Sequence, residues 1–131
     1  MHLRVDPHSH VPPSQQLVEA LLDAIARGEL APGDRLPSVR GLAGQALVNP
    51  NTVGKAYRDL EHLGATEGKN GSGVFVTAGG PDVAKALRLA ATLESFRAAA
   101  AEAVRAGHAR AVLQDILGEQ PAGRPVREKR S

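Results

Sequence analysis

The stretch Val48–Gly64, "VNPNTVGKAYRDLEHLG", decides how this chain is read. Two asparagines bracket a proline and lead directly into an amphipathic pattern. Asn49 suits an N-cap, because its side-chain oxygen can accept an otherwise unpaired backbone N–H of a helix's first turn. Pro50 suits the first helical position, where no N–H is needed and φ is already near its helical value. Val53, Tyr57 and Leu60, with Ala56 and Leu63 beside them, recur at helical spacing and define a buried face. Asn51, Thr52 and Lys55 are left to the outside. A helix begun this firmly presents two short hydrogen-bonding side chains and a cation near its positive end.

Upstream, residues 14–27 carry the apolar stripe Leu17, Val18, Leu21, Leu22 and Ile25, and Gly28 is a fitting stop. "GELAPGDRLPS" is a turn-rich link. Ser38 then caps a short helix whose inner face is Val39, Leu42, Ala43 and Ala46. Three helices with a short turn between the second and third form a helix-turn-helix. Downstream, "ATEGKNGSGVFV" predicts a β-hairpin turning at Asn70-Gly71 and returning through Val74, Phe75 and Val76. A hairpin directly after the third helix makes a winged helix. "TAGGPD" reads as a hinge or linker. Residues 82–106 predict an Ala-rich helix with Ala86, Leu89, Leu93, Phe96, Ala100 and Ala103 along one side, and residues 108–117 a further helix with Val112, Leu113, Ile116 and Leu117 apolar.

The expected fold is mainly α with a small β-hairpin: a winged helix-turn-helix followed by a two-helix C-terminal dimerisation segment. The expected order is a flexible lead 1–11, a winged-helix domain 12–77, the two helices within 82–118, and a disordered basic tail 119–131. The two C-terminal helices carry too much apolar surface for a pendant arm. Leu89, Leu93, Phe96, Ala100, Val112 and Ile116 are therefore expected at the interface of a homodimer, the commonest closed assembly.

Composition narrows the function. The 42% of hydrophobic residues suffices for a core, and with 2% aromatics that core must be Leu, Val, Ile and Ala. The absence of cysteine excludes a disulfide framework, a thiolate metal site and a cysteine nucleophile. No apolar run has signal-peptide character or membrane-spanning length, so a cytoplasmic protein without a membrane partner is the default. Asp6, His8 and His10 form a D-x-H-x-H cluster, but on a lead expected to be flexible and with no spacing of a known site; neither metal nor cofactor is expected. There is no nucleophile elbow and no phosphate loop. "GKNGSG" holds a lone G-x-x-G, which joins two strands and opens no helix. An enzyme is not expected. The net charge is +2; residues 1–80 hold seven Lys/Arg against eight Asp/Glu, and residues 81–131 hold nine against six. No basic block announces nucleic acid, so DNA would have to be held by a few placed cations.

Residues 12–76 resemble the DNA-binding domain of GntR-family bacterial transcription regulators. The resemblance is carried by "GELAPGDRLPSVRGLA" (Gly28–Ala43), by "VNPNTVGKAYRDLEHLG" and by "GSGVFV" (Gly71–Val76), in that order and at the right spacings. The short C-terminal part resembles the YtrA-like branch, whose members carry two C-terminal helices for dimerisation. The resemblance implies a sequence-specific DNA-binding transcription regulator, a repressor, that binds double-stranded DNA at an inverted-repeat operator as a homodimer. It also implies that Arg35 and Arg40 are principal DNA contacts.

In winged-helix proteins the first turn of the third helix faces base edges in the major groove. Asn51 and Thr52 can then hydrogen-bond bases, and Lys55 can reach guanine or phosphate. The free N–H groups near Ser38 could hold a phosphate. Lys69, Asn70 and Gly71 form the wing tip, where Gly71 permits close approach. Tyr57 is a candidate phosphate contact whose spacing equally suits the core; Ser38 and Asn49 also serve as plain caps, and Arg35 could instead pair with Asp34 or Asp59. Arg58 lies on the solvent side. The chain departs from the family at Gly54, where many relatives carry a longer polar or basic residue, at Ala65 and Thr66, which replace larger apolar residues, and at Gly68, where a basic residue is common. The sequence names no operator and no small-molecule effector. The competing class is an adaptor, a winged helix docking a partner protein without sequence-specific DNA binding. Charge placement separates the two: the DNA reading needs Arg35, Arg40, Lys55 and Lys69 on one face with no carboxylate between them.

Overall fold

A computed structural model of the chain describes residues 3–121. The elements are α1 (Pro13–Arg27), α2 (Val39–Ala46), α3 (Pro50–His62), β1 (Thr66–Lys69), β2 (Gly73–Val76), α4 (Gly80–Ala106) and α5 (Arg110–Glu119). This is the expected winged-helix order followed by two helices. Of the expected disordered tail 119–131, residues 122–131 lie outside the described residues, and Glu119 is instead the last residue of α5. No helix among the described residues is long and apolar enough to cross a membrane. The chain divides into two units, one up to Thr92 and one from Leu93 onward.

In the first unit, Leu17, Leu21 and Ile25 of α1, Leu42 of α2, and Val53 and Leu60 of α3 interlock as the buried centre. The caps hold these helices in place. Ser38 Oγ accepts the Gly41 N–H at 3.0 Å, and Asn49 Oδ1 accepts the Asn51 N–H at 2.8 Å with Pro50 at the first helical position. Gly28 closes α1 in the left-handed region, at φ 84°. The turn between α2 and α3 is less comfortable. Leu47 takes φ 57°, the one positive φ outside glycine among the described residues, and its side chain is 79% exposed. A left-handed conformation costs an L-residue about 1–2 kcal/mol.

The hairpin is antiparallel, pairing Thr66 with Val76 and Lys69 with Gly73. The link before α2 joins it. Arg35 bridges Phe75, the Leu36 N–H donates to Val74 O at 2.8 Å, and the Val76 N–H donates to Asp34 O at 2.9 Å. β2 is therefore hydrogen-bonded on both sides. Thr66 points inward and is buried, and its hydroxyl has no partner among the described residues.

Two segments differ from expectation. "TAGGPD" is a docked corner rather than a free hinge. Thr77 Oγ1 donates to Gly64 O at 2.8 Å, and a Cβ at the buried Gly80 would lie 2.8 Å from Ala65 O and 2.9 Å from Val76 Cγ1. Only glycine allows the first turn of α4 this close, and the turn brings Val83, Ala84 and Leu87 onto the core. The lead, expected to be flexible, is also tied down. Leu3 is buried in the core, and Gln16 accepts the Asp6 N–H at 2.9 Å while donating to Asp6 O and Val11 O at 3.0 and 2.8 Å. Pairing by one glutamine side chain satisfies backbone groups that a mobile lead would leave to water.

In the second unit the rest of α4 and α5 are joined at Gly107, φ 105°. Leu93, Phe96, Val104, Val112, Ile116 and Leu117 are 45–57% exposed. In the first unit Leu89 is similarly open, at 51%.

Candidate nucleic-acid interface

The start of α3 is the focus. Asn49 and Pro50 fix the helix entry, so the first turn presents Asn51, exposed, and Thr52, half-buried. Lys55 stands one turn further on. With Asn51 and Thr52 it lines a shallow groove completed by Pro13 and Ser14 at the start of α1. Nothing in the α3 motif indicates that neighbour. The one sequence signal is that the Pro12-Pro13-Ser14 entry gives α1 no side-chain cap. Its first N–H groups thus remain available for an anion beside the α3 turn.

Lys55 is not a free cation. Its Nζ lies 3.1 Å from Asp59 Oδ2, an exposed i,i+4 pair. Arg40, in the first turn of α2, is exposed, and among the described residues neither it nor Arg35, Arg58 or Lys69 is ion-paired. Ser38 is committed as a cap. Tyr57 proves to be a core residue rather than a surface contact. It is buried, and its hydroxyl donates to Pro37 O at 2.6 Å. Burial pushes the phenol up to about 12, so it stays neutral and serves to pin the link before α2 onto α3.

At the wing, Arg35 and Lys69 come together around Gly73. Lys69 pairs with Gly73 in the ladder, and a Cβ at Gly73 would lie 2.6 Å from Arg35 Nε. Gly73 also takes φ 117°, so its backbone reserves the position for glycine. Lys69 Nζ sits 5.0 Å from the centroid of the Phe75 ring, within cation–π range. Asn70 and Gly71 are exposed at the turn, Gly71 at φ 70°. Glu61 reaches from α3 to accept the Gly68 N–H at 2.8 Å and so braces the first wing strand against the helix.

The charge criterion is not met: Asp59 accompanies Lys55 on α3, although no carboxylate among the described residues pairs with Arg35 or Lys69 at the wing. Glu67, two residues from Lys69 on β1, adds a second carboxylate on the same strand face by alternation. The surface is one of placed groups rather than uniform positive potential.

The family described as "Bacterial regulatory proteins, gntR family" matches residues 13–76. Over 75 residues the chain is 40% identical to the HTH-type transcriptional repressor YtrA of Bacillus subtilis (strain 168), covering 57% of this chain and 58% of that protein. Among solved structures, YtrA from Sulfolobus acidocaldarius, a GntR-family transcription factor, is 32% identical with a TM-score of 0.58, covering 76% of this chain and 99% of that one. The structure of AraR(DBD) in complex with operator ORX1 is 29% identical with a TM-score of 0.53, covering 59% of this chain and 99% of that one. The chain spans 50–62% of the length of the first curated relatives it matches.

Proposed function

The chain belongs to the GntR family of bacterial regulatory proteins, and on that premise we propose that it is a sequence-specific DNA-binding transcription repressor acting as a homodimer on an inverted-repeat operator. The observation that carries the reading is the capped start of α3. It fixes Asn51 and Thr52 outward in the one turn that a winged helix presents to base edges, with Lys55 behind them. Arg40 and the Arg35–Lys69 pair flank that turn as phosphate contacts, which position a protein, while base contacts specify sequence. The solved AraR(DBD)–operator complex is a structural relative that holds DNA. Asp59 and Glu67 leave the four cations without a carboxylate-free face, so the reading rests on the α3 turn and on the family rather than on charge placement.

The dimer is proposed from the open seam. Leu93 and Phe96 are each more than half exposed, and burying such a side chain is worth roughly 1.5–3 kcal/mol. A second copy joins two weak half-site contacts through effective concentration. The test is selection of duplexes from a random pool by the full chain, followed by sedimentation and binding of the Leu93→Asp/Phe96→Asp double variant. An enriched inverted repeat, bound as a dimer by the wild type and weakly by a monomeric variant, is expected. A pool without enrichment defeats the DNA reading; a variant that stays dimeric defeats the seam.

A further inference from the structure

Gly54 leaves a gap in the outward face of α3, and the structure fills it from one turn further along. At 100° per residue, Asn51 and Arg58 fall within about 20° of each other around the helix axis, opposite the Val53–Ala56–Leu60 face. Gly54 lies beside them, one turn before Arg58. A Cβ built at Gly54 would lie 3.5 Å from Arg58 Nη1. The guanidinium is therefore folded back along the helix, over the bare backbone of Gly54, toward the turn that carries Asn51. Arg58 is exposed and, among the described residues, has no carboxylate partner; the neighbouring Asp59 is taken by Lys55. Its five N–H donors are thus free, in a planar fork that matches the two acceptors on a guanine edge.

We propose that Arg58 reaches over Gly54 to read a guanine edge in the major groove, so that Gly54 acts as the opening for Arg58. The proposal rests on the DNA reading above and adds a specificity-determining residue to it. The distance to Gly54 separates two kinds of substitution. At 3.5 Å a methyl group is in ordinary contact and Arg58 keeps its place. A longer side chain occupies the space and turns the guanidinium away.

The test uses the full chain on its selected duplex and on single-base-pair variants of it, in shift assays at one salt concentration. Arg58→Ala should weaken binding to the preferred duplex by about ten- to a hundredfold, the scale of one good base contact. It should lose little on the duplex in which one particular G·C pair is replaced. Arg58→Lys should restore only part of the loss, because an ammonium cannot span both acceptors. Gly54→Ala should bind as the wild type does, whereas Gly54→Leu should lose the same G·C preference. Neither change at residue 54 endangers the helix, since both residues are better helix formers than glycine. Arg58→Ala binding every duplex like the wild type would overturn the proposal. So would an equal loss on all duplexes, the signature of a phosphate contact, or a Gly54→Leu variant with its preference intact. A wild type that prefers no duplex fails separately, at the level of DNA recognition itself.

Discussion

Replacing Gly80 by alanine tests how tightly α4 is docked. The new Cβ would stand 2.8 Å from a backbone oxygen, Ala65 O, and 2.9 Å from the methyl of the buried Val76. Neither neighbour can swing aside as the end of a long side chain could. Relief requires the first turn of α4 to retreat by about half an ångström, which loosens Val83, Ala84 and Leu87 from the core. Overpacking of this kind costs about 1–3 kcal/mol. The preference for alanine over glycine in a helix interior returns at most about 1 kcal/mol, and less in a first turn. A net loss of about 1–2 kcal/mol is expected. Gly79 is the control: a Cβ there meets nothing within 4 Å. Gly79→Ala should stay within about 0.5 kcal/mol of the wild type. The assay is urea unfolding followed by far-ultraviolet circular dichroism at one fixed protein concentration, because self-association makes the midpoint concentration-dependent. Equal midpoints for the two variants would show that the corner has slack and that the close-approach argument is wrong.

Four further outcomes are expected. Leu47→Gly should raise stability by about 0.5–1 kcal/mol, since it removes left-handed strain of about 1–2 kcal/mol at the cost of some backbone entropy; a lower unfolding midpoint would contradict the strain. Thr66→Val should stabilise by about 1 kcal/mol, because the buried hydroxyl has no partner among the described residues, and no gain in the unfolding midpoint would mean that the group is satisfied. Tyr57, with its phenol raised from 10.0 to about 12, favours the folded state fully below pH 10 and loses that contribution as the pH climbs toward 12. Wild-type stability should therefore fall more steeply across that window than that of Tyr57→Phe, and an absorbance titration of this single tyrosine with a midpoint near 10 would refute the burial argument. On DNA, Arg40→Ala should cost about 1–3 kcal/mol, Asn51→Ala should flatten the preference at one or two operator positions, and Lys69→Ala should weaken all duplexes alike and lower the salt slope by about one; shift assays that reversed the last two would exchange the roles assigned to α3 and the wing.

Local rules that act over a few residues were legible in the sequence. Asn49-Pro50 announced a helix start and Ser38 a cap, and both side chains make those bonds. Asn70-Gly71 announced the turn between β1 and β2. What stayed hidden depends on residues distant in sequence. A glycine needed for close approach looks the same on paper as one needed for mobility, so Gly80 read as part of a hinge. Leu3 and Gln16 gave no sign that the lead was held, because the bonds between Gln16 and Asp6 span ten positions. The link "GDRLPS" has no alternation, yet its backbone extends the wing sheet. Tyr57 has a spacing compatible with core and contact alike, and only the bond to Pro37 O decides. The consequence for the boundary is concrete. A fragment ending at residue 80 would lack Ala84 and its neighbours, so a truncation meant to isolate the winged helix should run to Thr92.

The bonds that join the Arg35 segment to β2 belong to a closed circuit. Tyr57 ties α3 to Pro37, the link from Asp34 to Leu36 is laddered to β2, β2 is laddered to β1, and Glu61 returns from β1 to α3. A loop of struts closed in this way has low compliance: one side cannot give without stretching the others. On the DNA-binding reading, a groove of the wrong width must then be brought to fit by the duplex itself. Bending a site of 20–30 base pairs through 40–90° costs of order 1–6 kcal/mol, and that cost varies with the softness of each base step. A stiff protein frame thus selects for pliant DNA, and base pairs that no side chain reaches would enter the operator through their elasticity.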